Sequence, residues 1–115
     1  MPQHEGLTLE RWTVFPAAQQ VLMIANELHR ARKLMEPGDA SRRRNSYERV
    51  LALTDLTIAA QHGHSLRREL LRFRDLAAAF YLDPAPEARA QADLLRALLL
   101  LTPESARQRA PLGLS

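Results

Sequence analysis

Two histidines and two acids come closest to a catalytic or metal-binding set in this sequence. Glu48, Asp55 and His62 recur at intervals of seven, which places them on one face of a helix, and His64 follows at the helix end. Carboxylates and imidazoles inside a helical bundle can bind metals, typically through Glu-x-x-His pairs on facing helices. The sequence contains no such pair, so we predict neither a metal nor another cofactor.

The two acids also have a structural interpretation. Asp55 lies among Leu53, Thr54, Leu56 and Thr57, which predicts that its carboxylate is partly buried. A buried carboxylate without a partner is costly. We therefore expect Asp55 and Glu48 to form structural ion pairs across the bundle, with Arg30 and Arg72 as their partners.

Five arginines are the candidates for binding phosphate, and hence nucleic acid: Arg42, Arg43, Arg44, Arg67 and Arg68. The first three are consecutive and fan over about 200° in a helix, so they do not form one flat surface unless the first precedes the helix. No aromatic residue alternates with the arginines to stack on bases. The simpler interpretation is a solvated junction, where Arg43→Ala should change stability by no more than about 0.5 kcal/mol.

Catalysis has little support in the motifs. The chain has no cysteine, no Gly-x-Ser-x-Gly motif and no cluster among its four glycines. A hydrolase that uses His62 and His64 beside Arg67 and Arg68 remains a third hypothesis. We predict a protein that is not an enzyme.

Composition indicates an ordinary globular chain of one domain. Of its 115 residues, 46% are hydrophobic and 25% charged, with a net charge of +3. Fifteen of the 16 basic residues are arginine, which stays protonated far above neutral pH. The charge permits a nucleic-acid partner without requiring one. The N-terminus lacks an apolar signal segment and no apolar run reaches membrane length, so we expect a cytoplasmic protein without a membrane partner.

Apolar spacing predicts the elements that position these residues. After Pro16, Val21, Ile24 and Leu28 recur at alternating spacings of three and four, which predicts a helix ending at Pro37–Asp39. Three more helices are predicted over about 41–62, 65–82 and 85–101, followed by a short helical turn at Thr102–Ser105. The expected fold is an all-α antiparallel four-helix bundle. Its domain is predicted to span 16–110, with an irregular arm at 1–15 and a frayed tail at 111–115.

The fourth predicted helix is apolar in nearly every direction. A helix at the edge of a bundle should keep a polar face, so either the N-terminal arm or a second subunit must cover this one. We favour a homo-oligomer, most simply a dimer, whose interface comprises Leu94, Leu95, Leu98, Leu99 and Leu101. The leading functional hypothesis is therefore a non-enzymatic helical bundle that acts through protein contacts and self-association.

Overall fold

The structure is a computed structural model that describes residues 8–60 and 62–114. This part of the chain is helical without strands, which confirms the all-α class. The helices are α1 (Leu9–Trp12), α2 (Ala17–Arg32), α3 (Ala40–Ala59), α4 (His64–Leu82), α5 (Ala88–Leu99) and α6 (Pro103–Ala106). None of the helices in these ranges is long and apolar enough to cross a membrane.

The four longer helices surround one core. α2 packs against α3 and α5, and α3 packs in turn against α4. The predicted stripe of α2 is buried at Val21, Ile24 and Leu28, because residues three and four apart share one face of a helix. From α3 the core receives Tyr47 and further side chains, among them Val50, Leu53, Thr54 and Thr57.

The connection between α2 and α3 differs in detail from the sequence prediction. α2 ends at Arg32, and Pro37–Asp39 form a 3₁₀ turn instead of a simple break. Within this turn, Glu36 and Asp39 each accept a hydrogen bond from the other's backbone N–H. Asp39 therefore stabilises the turn. Although it is the residue that precedes α3, its side chain makes no capping hydrogen bond to that helix.

The connection between α3 and α4 depends on Gly63. Its φ of 118° lies in a region that residues with a side chain rarely adopt. The glycine stands at the start of α4, where we had expected Ser65, and α3 has already ended at Ala59. At the other end of the bundle, Thr102 accepts a hydrogen bond from the Ser105 backbone and begins α6, as predicted.

Both ends of the described chain contribute to the core. In the predicted arm, residues 9–12 form α1, and Trp12 is completely buried while Val14 is exposed. The indole Nε1–H of Trp12 donates to Thr57 Oγ1 at 3.0 Å. Leu114, in the segment expected to fray, is also buried in the core cluster. Residues 1–7 of the arm and residue 115 of the tail lie outside the described residues.

Candidate functional site

The consecutive arginines at the start of α3 have different environments. Arg43 is only 6% exposed, which corrects the expectation that it lies at an exposed junction. Its Nη1 donates to the carbonyl of Leu34 at 2.9 Å, and its Nη2 donates to the carbonyl of Pro84 at 3.1 Å. These carbonyls follow the ends of α2 and α4, where helices leave carbonyl groups without partners. Arg43 therefore joins three helices.

The five candidate arginines do not form a single surface. Arg42 and Arg44 are exposed in the first turns of α3, whereas Arg67 and Arg68 lie in the first turns of α4. Arg43 lies about 24 Å along the helix axis from the end of α3 at Ala59. α4, which carries Arg67 and Arg68, begins just beyond that end. Arg68 approaches His64 Nε2 at 3.4 Å. Arg43 is buried, whereas the exposed pairs Arg42/Arg44 and Arg67/Arg68 lie near opposite ends of α3.

The four residues considered for metal binding are each engaged elsewhere. His62 Nε2 lies 2.8 Å from Gln20 Oε1, and Tyr81 donates its hydroxyl hydrogen to Glu48 at 2.9 Å. Across residues 8–60 and 62–114, no three His, Asp or Glu side chains come together as a metal site would require.

Hydrogen bonding fixes the proton position on His62. The amide Nε2 of Gln20 donates to the carbonyls of Trp12 and Phe15, each at 2.9 Å. Gln20 Oε1 is therefore an acceptor, and the facing Nε2 of His62 must carry a proton. The histidine connects the segment before α4 to Gln20 of α2, which in turn bonds the carbonyls of the N-terminal arm, and this is a structural role.

The ion pair predicted for Asp55 forms with a different partner. Asp55 is paired with Arg74, not with Arg30 or Arg72, and its side chain is 53% exposed, not buried. The side-chain hydrogen bond from Arg74 to Asp55 raises the pKa of Arg74. Residue 74 faces α3, whereas residue 72 lies about half a turn away on the helix, which explains the error.

The remaining expected partners are also paired locally. Arg30 lies 3.4 Å from Glu27, and Arg72 lies 3.9 Å from Glu69, both pairs spanning three residues of one helix. Glu48 receives its hydrogen bond from Tyr81, and this contact raises the pKa of the tyrosine. Helix rotation decides which long side chains meet, and the sequence pattern of α3 alone did not specify it.

The leucines of α5 are covered within the chain itself. Leu95, Leu98 and Leu99 have no exposed surface and Leu94 has little, so these side chains do not form an exposed interface. The core cluster around them includes Trp12 and Leu114. The chain itself, chiefly α2 packed against α5, thus covers the side chains predicted to meet a second subunit.

An open groove remains between α4 and α5. Near Leu101 a recess of about 70 Å³ is lined by residues such as Phe73, Leu76 and Ala97, and near Asp83 a second recess of about 360 Å³ is bounded by Ala79 and Ala90. Leu76 is 50% exposed there. The spacing of the α4 residues along the groove alternates between three and four, a signal that was present in the sequence and that our predictions did not use.

A second feature missed in the sequence is polar. Asn45, Ser46 and Arg49 share the face of α3 that begins at Arg42, and together they line a recess with Arg30 of α2. Their spacing of three and four residues could have identified this face. Neither a family model, nor a curated protein, nor a solved structure matches the chain.

Proposed function

We propose that this protein acts through protein contacts and assembles with a second copy of itself through the groove between α4 and α5, without catalysing a reaction. One observation supports the proposal: the recesses between α4 and α5 are lined largely by apolar side chains, with the Arg72–Glu69 pair at one end and the acids Asp83 and Glu87 at the other. Such a surface can pair with its own copy when the two copies are related by a twofold axis.

The apolar part of the groove has the spacing of a helix-packing surface. α4 and α5 each present a second stripe, beside the one that faces the core, with residues alternately three and four apart. The groove extends over about 21 Å between Glu69 and Asp83, enough for four turns of a docked helix. The stripe members are Glu69, Arg72, Leu76 and Ala79 on α4 with Asp83 directly after it, and Ala90, the nearly buried Leu94 and Ala97 on α5 with Leu101 two residues after it.

The charges select a second copy as the occupant. Arg72 lies five residues before Ala77, and Asp83 lies five residues after Ala78. A twofold axis between Ala77 and Ala78 therefore places Arg72 of each copy opposite Asp83 of the other in an antiparallel pair of α4 helices. The same axis places Leu76 opposite Ala79, so a large side chain meets a small one.

Sedimentation over a range of protein concentrations tests the proposal. Leu76→Glu places a charge in the groove and should shift the protein toward its monomer mass of 13.0 kDa. Val14→Glu is the matched control, because Val14 is 79% exposed and lies outside the groove. This control should assemble like the wild type. If the wild type itself remains monomeric at every concentration, the proposal is wrong.

Charge reversal tests the antiparallel arrangement separately. Arg72→Asp and Asp83→Arg should each weaken assembly, since each places like charges opposite one another, and the double variant should regain it. Circular dichroism checks that the helices are retained, because Asp83 also accepts a hydrogen bond from the Ala85 backbone. A double variant that assembles no better than the single variants rules out this pairing.

A further inference from the structure

Three arginines surround one recess between α2 and α3. The recess has a volume of about 310 Å³ and is lined by Arg30, Leu34, Arg42, Asn45, Ser46 and Arg49. It lies on a different helix pair from the α4–α5 groove, so what it binds is independent of self-association. Guanidinium groups donate hydrogen bonds in a planar fork that matches phosphate and carboxylate oxygens.

The contacting acids leave positive charge in the recess. Glu27 accepts from Arg49 Nε at 2.9 Å and from Arg30 Nη1 at 3.4 Å, so one carboxylate serves two guanidinium groups. Asp39 accepts from Arg42 Nη1 at 3.4 Å, while its other oxygen accepts from the Glu36 backbone. In the contacts described for residues 8–60 and 62–114, three guanidinium groups thus stand against these two carboxylates, which favours an anionic ligand.

Two of the arginines are accessible and the third is held in place. The side chains of Arg30 and Arg42 are 61% and 72% exposed, and their acid contacts at 3.4 Å are long for hydrogen bonds between charged groups. Arg49 is mostly buried and is fixed by Glu27 and by the hydroxyl of Ser46, which accepts from Nη2 at 3.2 Å. A side chain that is already ordered loses less entropy when a ligand binds.

We propose that this recess binds the phosphate group of a small phosphorylated molecule. Its volume lies at the lower end of the range for small-molecule sites, roughly 300–1,000 Å³. No aromatic side chain is among the residues that line it, so it offers no surface on which a base can stack. A single recess with little excess charge fits one phosphate better than the repeated phosphates of a nucleic acid.

Calorimetric titration with glycerol phosphate and inorganic phosphate tests this site. The variant Arg30→Gln/Arg42→Gln removes the two exposed guanidinium groups and should raise the dissociation constant about tenfold or more. The control Arg67→Gln/Arg89→Gln makes the same change in net charge at exposed positions on α4 and α5, and its dissociation constant should stay within about twofold of wild type. Circular dichroism establishes that both variants are folded.

Further titrations distinguish the kinds of anion. Acetate at the same ionic strength should bind more weakly, and phosphate binding should weaken when the pH falls from 7.5 to 5, since phosphate monoesters lose their second negative charge below about pH 6. Equal losses in both double variants, or no saturable phosphate binding at millimolar concentration, would overturn the proposal. A single-stranded oligonucleotide that binds with steep salt dependence and is not displaced by glycerol phosphate would overturn it in favour of nucleic acid.

Discussion

Arg43 is the residue whose substitution most directly tests the described packing. Its guanidinium donates to the carbonyls of Leu34 and Pro84, and thereby connects α3 to the segments that follow α2 and α4. A hydrogen bond from a charged donor contributes about 1.5–3 kcal/mol when it is intact. Arg43→Ala removes two of them and leaves two carbonyls without this donor.

The cost of this change follows from burial and from the loss of both bonds. Because Arg43 is only 6% exposed, water does not readily replace the guanidinium, and the shortened side chain also leaves a cavity. Part of this loss is offset, because the wild-type protein incurs a desolvation cost for the buried guanidinium that the alanine variant does not. We expect Arg43→Ala to lower the free energy of unfolding by about 2–4 kcal/mol.

Urea denaturation followed by circular dichroism measures this change. Arg44→Ala is the matched control, because Arg44 neighbours Arg43 in the sequence and is exposed. The control should alter the free energy of unfolding by no more than about 0.5 kcal/mol. If Arg43→Ala lowers the free energy of unfolding no more than Arg44→Ala does, Arg43 does not stabilise the packing of the three helices and the reasoning is refuted.

Two smaller predictions concern other described contacts. Asp55→Ala should cost no more than about 1 kcal/mol in urea denaturation, because its pair with Arg74 is exposed; a loss of 3 kcal/mol would contradict this. Burial raises the pKa of Tyr47 well above its usual value of 10, so the unfolded chain loses this proton first. The contribution of Tyr47 to the free energy of unfolding is therefore present below about pH 10 and declines as the pH rises further. Tyr47→Phe should remove that part of the decline. If the free energy of unfolding falls above about pH 10 as steeply in the variant as in the wild type, the reasoning is wrong.

Much of the fold could be predicted because helix formation depends on local patterns. The apolar spacing of Val21, Ile24 and Leu28 predicted α2, and Thr102 with Pro103 predicted the start of α6. Helix ends were less accurate. Glycine is common both after the end of one helix and before the start of the next, so the sequence did not distinguish these positions for Gly63.

The side-chain partners could not be predicted in the same way. Arg72 and Arg74 are two residues apart and chemically identical, yet only Arg74 faces Asp55, because the rotation of α4 about its axis directs the two side chains differently. The three-residue run Arg42–Arg44 likewise contains a buried arginine between two exposed ones. Contact between helices depends on rotation and register, which arise when all the apolar faces pack together.

Residue spacing within each helix was enough to predict the all-α class, the approximate extent of the four longer helices and most of the core stripe. Only the tertiary structure decided that α1 and Leu114 help cover the core, and that Arg43 is buried. It also decided that Arg30, Arg42 and Arg49 surround one recess while the α4–α5 groove stays open. The physical reason is that side chains distant in the sequence meet only after the helices have packed.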